Sequence, residues 1–171
     1  MKEIMDRLSS YNIFNYLLPG VLFAVLGSRL TDFALLIENP FAAAFLYYFY
    51  GLVVSRIGSL LVEPILRRLG YVSHSEYEQY VSASKSDDQI LILSEVSNMY
   101  RTLSSLFLCL IVVISCEFLS KSIGLTTWAS NGIALAAFGA LFAVSYVKQS
   151  AYVVSRIALA AKAKNDHGEK K

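Results

Sequence analysis

The side chains able to do chemistry are few in this chain and stand far apart. His74 and His167 have no cysteine or carboxylate at the spacing a zinc site requires. Cys109 and Cys116 are seven residues apart, about 10 Å along a helix, too far for a disulfide within it, so they read as core thiols. There is no G-x-S-x-G, no phosphate-binding glycine loop and no H-E-x-x-H, and the many serines and tyrosines have no neighbouring base. The pattern predicts a protein that is not an enzyme and needs no cofactor and no metal.

What stands out instead is charge inside apolar sequence. Glu117 sits late in a hydrophobic run, where a carboxylate could line a cation path or be held protonated. The plainer reading, preferred here, pairs it with Lys121 at i, i+4, as Arg29 and Asp32 pair at i, i+3. Two roles are open to Arg56: a snorkelling anchor at a headgroup layer, or one half of a buried interhelical ion pair. Glu63, seven residues on, would already be at the interface or in water. None of these makes the ring of charges or polar stripe that identifies a channel.

The elements that carry these charges are membrane helices. Between Phe41 and Leu61 the only charge in 21 residues is Arg56, and roughly 20 apolar residues suffice to cross a hydrocarbon core about 30 Å thick as a helix. Thr102–Leu119 and Gly132–Val147 pass the same test, the latter extended outward by Trp128–Asn131; Ile13–Leu30 is weaker because of Asn15, Pro19 and Arg29. With 56% hydrophobic and 16% charged residues, the chain has too much apolar surface for a soluble domain of 171 residues. The fold class expected is all-α: one polytopic membrane domain over 1–171, with four spans at about 13–30, 41–61, 102–119 and 129–147.

Orientation follows from the basic residues. Lys2, Arg7, Arg67, Arg68, Lys85 and Arg101, with six more in the tail, lie on one side; only Arg29 and Lys121 lie on the other. The positive-inside rule then places both termini and the central loop in the cytoplasm.

The helices are longer than the membrane needs. Pro40–Leu66 would run about 40 Å, so its last turns leave the lipid. Asp87 or Asp88 can cap a helix that enters the third span, and the fourth continues past Val147 toward Asn165. Between them Ser73 and Glu76 form a capping-box pattern ahead of Tyr77 and Tyr80, predicting one short helix. The expectation is a cytoplasmic helical region at 67–101 with the tail 148–171, burying Ile90, Leu91, Leu93, Val96, Val153, Val154 and Ile157. Ser73, Glu76, Tyr77, Tyr80, Glu95 and Arg156 are the expected contacts for a cytoplasmic protein partner. The N-terminal face of Ile4, Met5, Leu8 and Tyr11 suits a helix lying in the interface, with a kink or a fresh start at Pro19–Gly20.

Small residues mark where helices meet in lipid. Gly51, Ser55 and Gly58 share a face of the second span, Gly132, Ala136, Gly139 and Ala143 one of the fourth, and Ser105, Cys109, Val112 and Cys116 one of the third. Four short spans make a thin bundle, so a homo-oligomer bathed in membrane lipid is expected. VVSRI occurs at both Val53–Ile57 and Val153–Ile157, read as coincidence with each arginine an inner-interface anchor.

The strings YNIFNYLLPG (Tyr11–Gly20), GLVVSRIGSLLVEPIL (Gly51–Leu66) and LSEVSNMYRTL (Leu93–Leu103) resemble a group of small bacterial membrane proteins found beside phage-defence genes, among them the four-helix membrane subunits of the Kiwa system. That resemblance implies an oligomeric sensor of phage attachment or injection that holds a cytoplasmic DNA-binding partner at the membrane, without contacting nucleic acid itself. The competing expectation is a pore-forming effector or small ion channel.

Overall fold

The computed structural model describes the backbone of residues 2–73 and 77–168 and the side chains of residues 15–73 and 77–161. Among these the chain is all-helical. Five helices follow one another: α1 (Lys2–Leu30), α2 (Pro40–Arg68), α3 (Tyr77–Ser86), α4 (Gln89–Ile123) and α5 (Thr127–Gly168). Three of them, α2, α4 and α5, are long and apolar enough to cross a membrane; the apolar part of α1, Asn15–Leu30, is shorter than that. The membrane assignment thus stands on three helices, and the fourth expected span is a shorter apolar segment within a 29-residue helix.

Local chemistry sets the boundaries. Asn39 caps α2 by accepting from the Phe41 and Ala42 N–H groups at 3.0 and 3.2 Å, and Pro40, which has no N–H to satisfy, takes the first helical position. Asp87, the residue before the cap position of α4, accepts from Gln89 N–H at 2.9 Å. Gly124 ends α4 in the left-handed region at φ 71°, where a side chain would be strained, and Leu125 N–H closes onto Ser120 O at 3.0 Å. Within the 31–39 connection Leu35 N–H donates to Ser28 Oγ and Ile37 N–H to Tyr47 Oη. α1 neither begins nor ends at Pro19; it is one helix from Lys2 to Leu30, with Pro19 fully buried inside it. The side chains of Ile4, Met5, Leu8 and Tyr11, and the backbone of Glu76 in the capping box, lie outside the described residues.

α1, α2 and α4 form the core. Val54, Leu106, Cys109 and Leu110 are buried together, with Phe23, Leu26 and Ile57 packed on them. Ser105 Oγ donates to the Val54 carbonyl and Thr102 Oγ1 lies 3.4 Å from Ser55 Oγ, so the α2–α4 seam is sewn by hydroxyls across small residues. α5 stands apart. Only 6% of its apolar window is buried, against 28% in α2 and in α4. Its contacts include Phe138 and Phe142 against Phe49, Ser130 against Ser120 of α4, Lys148 against Ser59, and Tyr152 against Tyr77.

The small-residue stripes therefore meet different fates. Gly51 lies against the Tyr16 backbone of α1, and Gly58 against Ser105 and the Arg101 carbonyl of α4. Ser105 and Cys109 are buried, but Val112 and Cys116 of the same expected stripe are exposed, because α1 and α2 cover only one end of that face. Around Gly132 and Gly139 a Cβ would meet nothing, and Ala136 and Ala143 are exposed as well. The expected cytoplasmic core forms only in part within one chain: Ile90, Leu91 and Val96 are half-buried, whereas Leu93, Val153, Val154 and Ile157 are exposed.

Candidate functional site: two polar layers and a broken helix

The second helix contains an interruption that the apolar pattern hides. It is α-helical over Pro40–Ile57, π-helical over Gly58–Val62 and α-helical again over Glu63–Arg68. Pro64 gives the physical reason. It has no N–H to donate and its ring crowds the preceding turn, so the ladder must be rearranged on its N-terminal side. Glu63 N–H bonds back to Gly58 O, the i to i−5 bond of a π turn. The Ser59 carbonyl would need Glu63 N–H in an α turn or residue 64 N–H in a π turn. The first is taken and the second is a proline.

Lys148 fills that vacancy. From α5 its Nζ donates to Ser59 O at 2.7 Å and to Ser59 Oγ at 2.8 Å. At the same end of the bundle Arg101 Nη1 meets Glu63 Oε2 at 2.6 Å, and the buried Asn15 donates through Nδ2 to Glu95 Oε2 at 2.8 Å. All four long helices are thus cross-linked in one polar layer. Arg101 Nε is buried there with no hydrogen-bond partner among the described residues.

A second layer closes the opposite end. Lys121 Nζ donates to Asp32 Oδ2 and to Glu117 Oε1, both at 2.7 Å, and Asp32 N–H donates to Glu117 at 3.2 Å. The Lys121 ammonium, by hydrogen bond first and charge second, holds the Asp32 carboxyl below its usual range. Glu117 does pair with Lys121 as the i, i+4 spacing predicts, but Asp32 turns to Lys121 as well. Along α4 the 16 residues from Arg101 to Glu117 separate the layers by about 24 Å, and along α5 the 18 from Ser130, whose hydroxyl lies 3.1 Å from that of Ser120 beside Lys121, to Lys148 by about 27 Å.

The remaining expected site residues fall as follows. Arg56 is half-buried near the Lys148 layer. Arg156 is exposed and lies about 12 Å beyond Lys148 along α5, so the two VVSRI strings do not occupy matching levels, and only Arg56 is near the layer. Ser73 is exposed, Tyr77 and Tyr80 are half-buried on α3, and Glu95 is tied to Asn15 within the chain. Asn15, Ser59, Arg101 and Lys148 were not singled out by the sequence as site residues. The one signal that could have found the site was Pro64 inside an otherwise helical run. No protein-family model, curated protein or solved structure matches the chain.

Proposed function

We propose that the chain is a non-enzymatic, oligomeric scaffold and sensor of a bacterial inner membrane, crossing the bilayer four times with both termini in the cytoplasm. Its helical extensions hold a soluble partner, and the assembly serves anti-phage defence. Support for the fourth crossing comes from α1: Asn15 is bonded in the Lys148 layer, and Asp32, just past its other end, is bonded in the Lys121 layer. A helix anchored in both layers traverses the same slab as its neighbours. The excess of basic residues beside the Lys148 layer supports its placement on the cytoplasmic face.

One observation carries the partner role. Beyond Lys148, where lipid gives way to water, α5 continues for 20 residues, about 30 Å, and Val153, Val154 and Ile157 on it are exposed at 50, 66 and 64%. Apolar side chains on a helix in water need a cover, and the described residues supply none. The resemblance to phage-defence membrane subunits supports a DNA-binding protein as that cover.

Detergent pull-down tests the reading. The intact chain should retain a stoichiometric soluble partner that is lost when residues 73–95 or 153–161 are replaced by flexible sequence. Equal recovery from intact and altered chains would remove the scaffold role. A voltage-dependent current from the purified chain in planar bilayers, abolished by Glu117→Gln, would favour the pore reading instead.

A further inference from the structure

Among the described residues, the Lys148 layer holds more positive charge than its own partners neutralise. Lys148 lies within electrostatic reach of Arg56, Arg67 and Arg101, and of one carboxylate, Glu63. Glu63 is bonded to Arg101, and the other acid of the layer, Glu95, is bonded to Asn15. Among the described residues, four cations therefore face two carboxylates. Lys148 uses neutral acceptors, the Ser59 carbonyl and hydroxyl, which leave its charge intact. Arg67 is exposed, and the buried Nε of Arg101 has no acceptor among the described residues. The cluster joins α2, α4 and the loosely packed α5; on the membrane reading, its place at the end of the apolar spans is the level of lipid headgroups.

We propose that this cluster binds the phosphate of an anionic phospholipid headgroup, held by Lys148 and Arg67 with Arg56 and Arg101 adding to the local positive charge. Basic pockets between transmembrane helices on the cytoplasmic side are suited to such headgroups, and each basic residue near an anionic surface contributes about 1 kcal/mol. The π turn has a direct part. By orphaning the Ser59 carbonyl it fixes an ammonium where the helix ladder would otherwise have no use for one. A bound headgroup would also tie α5 to α2 across their sparsest contact. This inference rests on the membrane reading above.

Full-length protein in a neutral detergent tests it, with lipid binding followed by native mass spectrometry and by the shift in melting temperature. Phosphatidylglycerol should bind and raise the melting temperature, while phosphatidylcholine, which shares the apolar tails, should do neither. Arg67→Gln, at an exposed position outside the packing, should weaken phosphatidylglycerol binding about fivefold without altering the lipid-free melt, and Lys148→Met should weaken it at least as much. Equal effects of the two lipids, or unchanged affinity in Arg67→Gln, would overturn the site. Reproduction of the shift by inorganic phosphate at the same concentration would overturn the lipid assignment in favour of a free anion. Failure of the membrane reading is separate: the protein would then stay soluble without detergent.

Discussion

Gly20 of α1 and Gly51 of α2 interlock at the helix crossing, each against the backbone of the other helix: a Cβ on Gly20 would overlap the Tyr47 carbonyl, and one on Gly51 would overlap that of Tyr16. The atoms in the way are backbone, which cannot rotate aside. Only glycine lets the two helices approach this closely, and Tyr16 packs edge-on against Tyr48 beside it. Gly20→Ala and Gly51→Ala should each destabilise the chain by about 1–3 kcal/mol, the range for overpacking a tight contact, and the pair should cost less than the sum because either one already forces the helices apart. Reversible unfolding in mixed micelles measures this. Neutral single substitutions would show that the crossing is looser than the geometry requires.

Much of this architecture is legible in the chain because it depends on local pattern. The apolar runs locate α2, α4 and α5, and Pro40 and the Asp87–Asp88 pair locate two of the starts. What cannot be read locally is register between helices. Gly20 beside Pro19 looks like a place for a kink, and only the position of Tyr47 on another helix turns it into a packing residue. Glu63 and Arg101 are separated by 38 residues, and Asn15 and Glu95 by 80. Lys148 looks like the first charge of a basic tail until the Ser59 carbonyl is found without a helical donor. Of the small-residue stripes, Gly51 and Gly58 lie against other helices, but the rule says nothing of which helix or copy covers a stripe, and within one chain Val112 and Cys116 stay exposed.

The break in α2 and the ammonium that satisfies it should be thermodynamically coupled. In the native chain Lys148→Met leaves the Ser59 carbonyl without a donor, and removing a charged hydrogen bond of this kind costs about 1–3 kcal/mol. Pro64→Ala restores an N–H within the turn, which lets the ladder close on Ser59. In that background Lys148→Met should cost markedly less. A double-mutant cycle on unfolding free energies reads the difference, and additivity of the two substitutions would mean that Pro64 is not what orphans the carbonyl.

The uncovered stripe on α5 separates assembly from folding. A Cβ at Gly132 or Gly139 would meet nothing within the chain, so Gly139→Leu should leave the melting of the single chain almost unchanged. If copies of the chain associate through this face, as the proposed oligomer requires, the same substitution should shift the complex toward monomer, read by cross-linking in native membranes or by mass photometry. Gly51→Leu is the contrasting control, since it should damage the fold before any assembly. An oligomer that survives Gly139→Leu intact would move the interface elsewhere.

The Lys121 layer has a pH signature of definite sign. A carboxyl like that of Asp32 ordinarily titrates near 3.8, and the Lys121 ammonium holds it lower in the folded chain. Between the two values the unfolded chain binds more protons than the folded one, so stability rises with pH through that window. The contribution is complete above the unfolded value and disappears as pH falls through the folded one. Both Asp32 and Lys121 are well exposed, at 84 and 62% of their side-chain surface, so the effect is modest and weakened by salt. Asp32→Asn should melt at a lower temperature than the parent chain near neutral pH in low salt. As the pH falls through the folded-state value, below the ordinary 3.8, the two melting curves should converge, because protonated Asp32 no longer carries the charge that distinguished it from asparagine. Raising the salt at neutral pH should narrow the gap as well. A difference that persists undiminished through both treatments would locate the effect of the substitution in the 31–39 loop conformation and not in the pairing with Lys121.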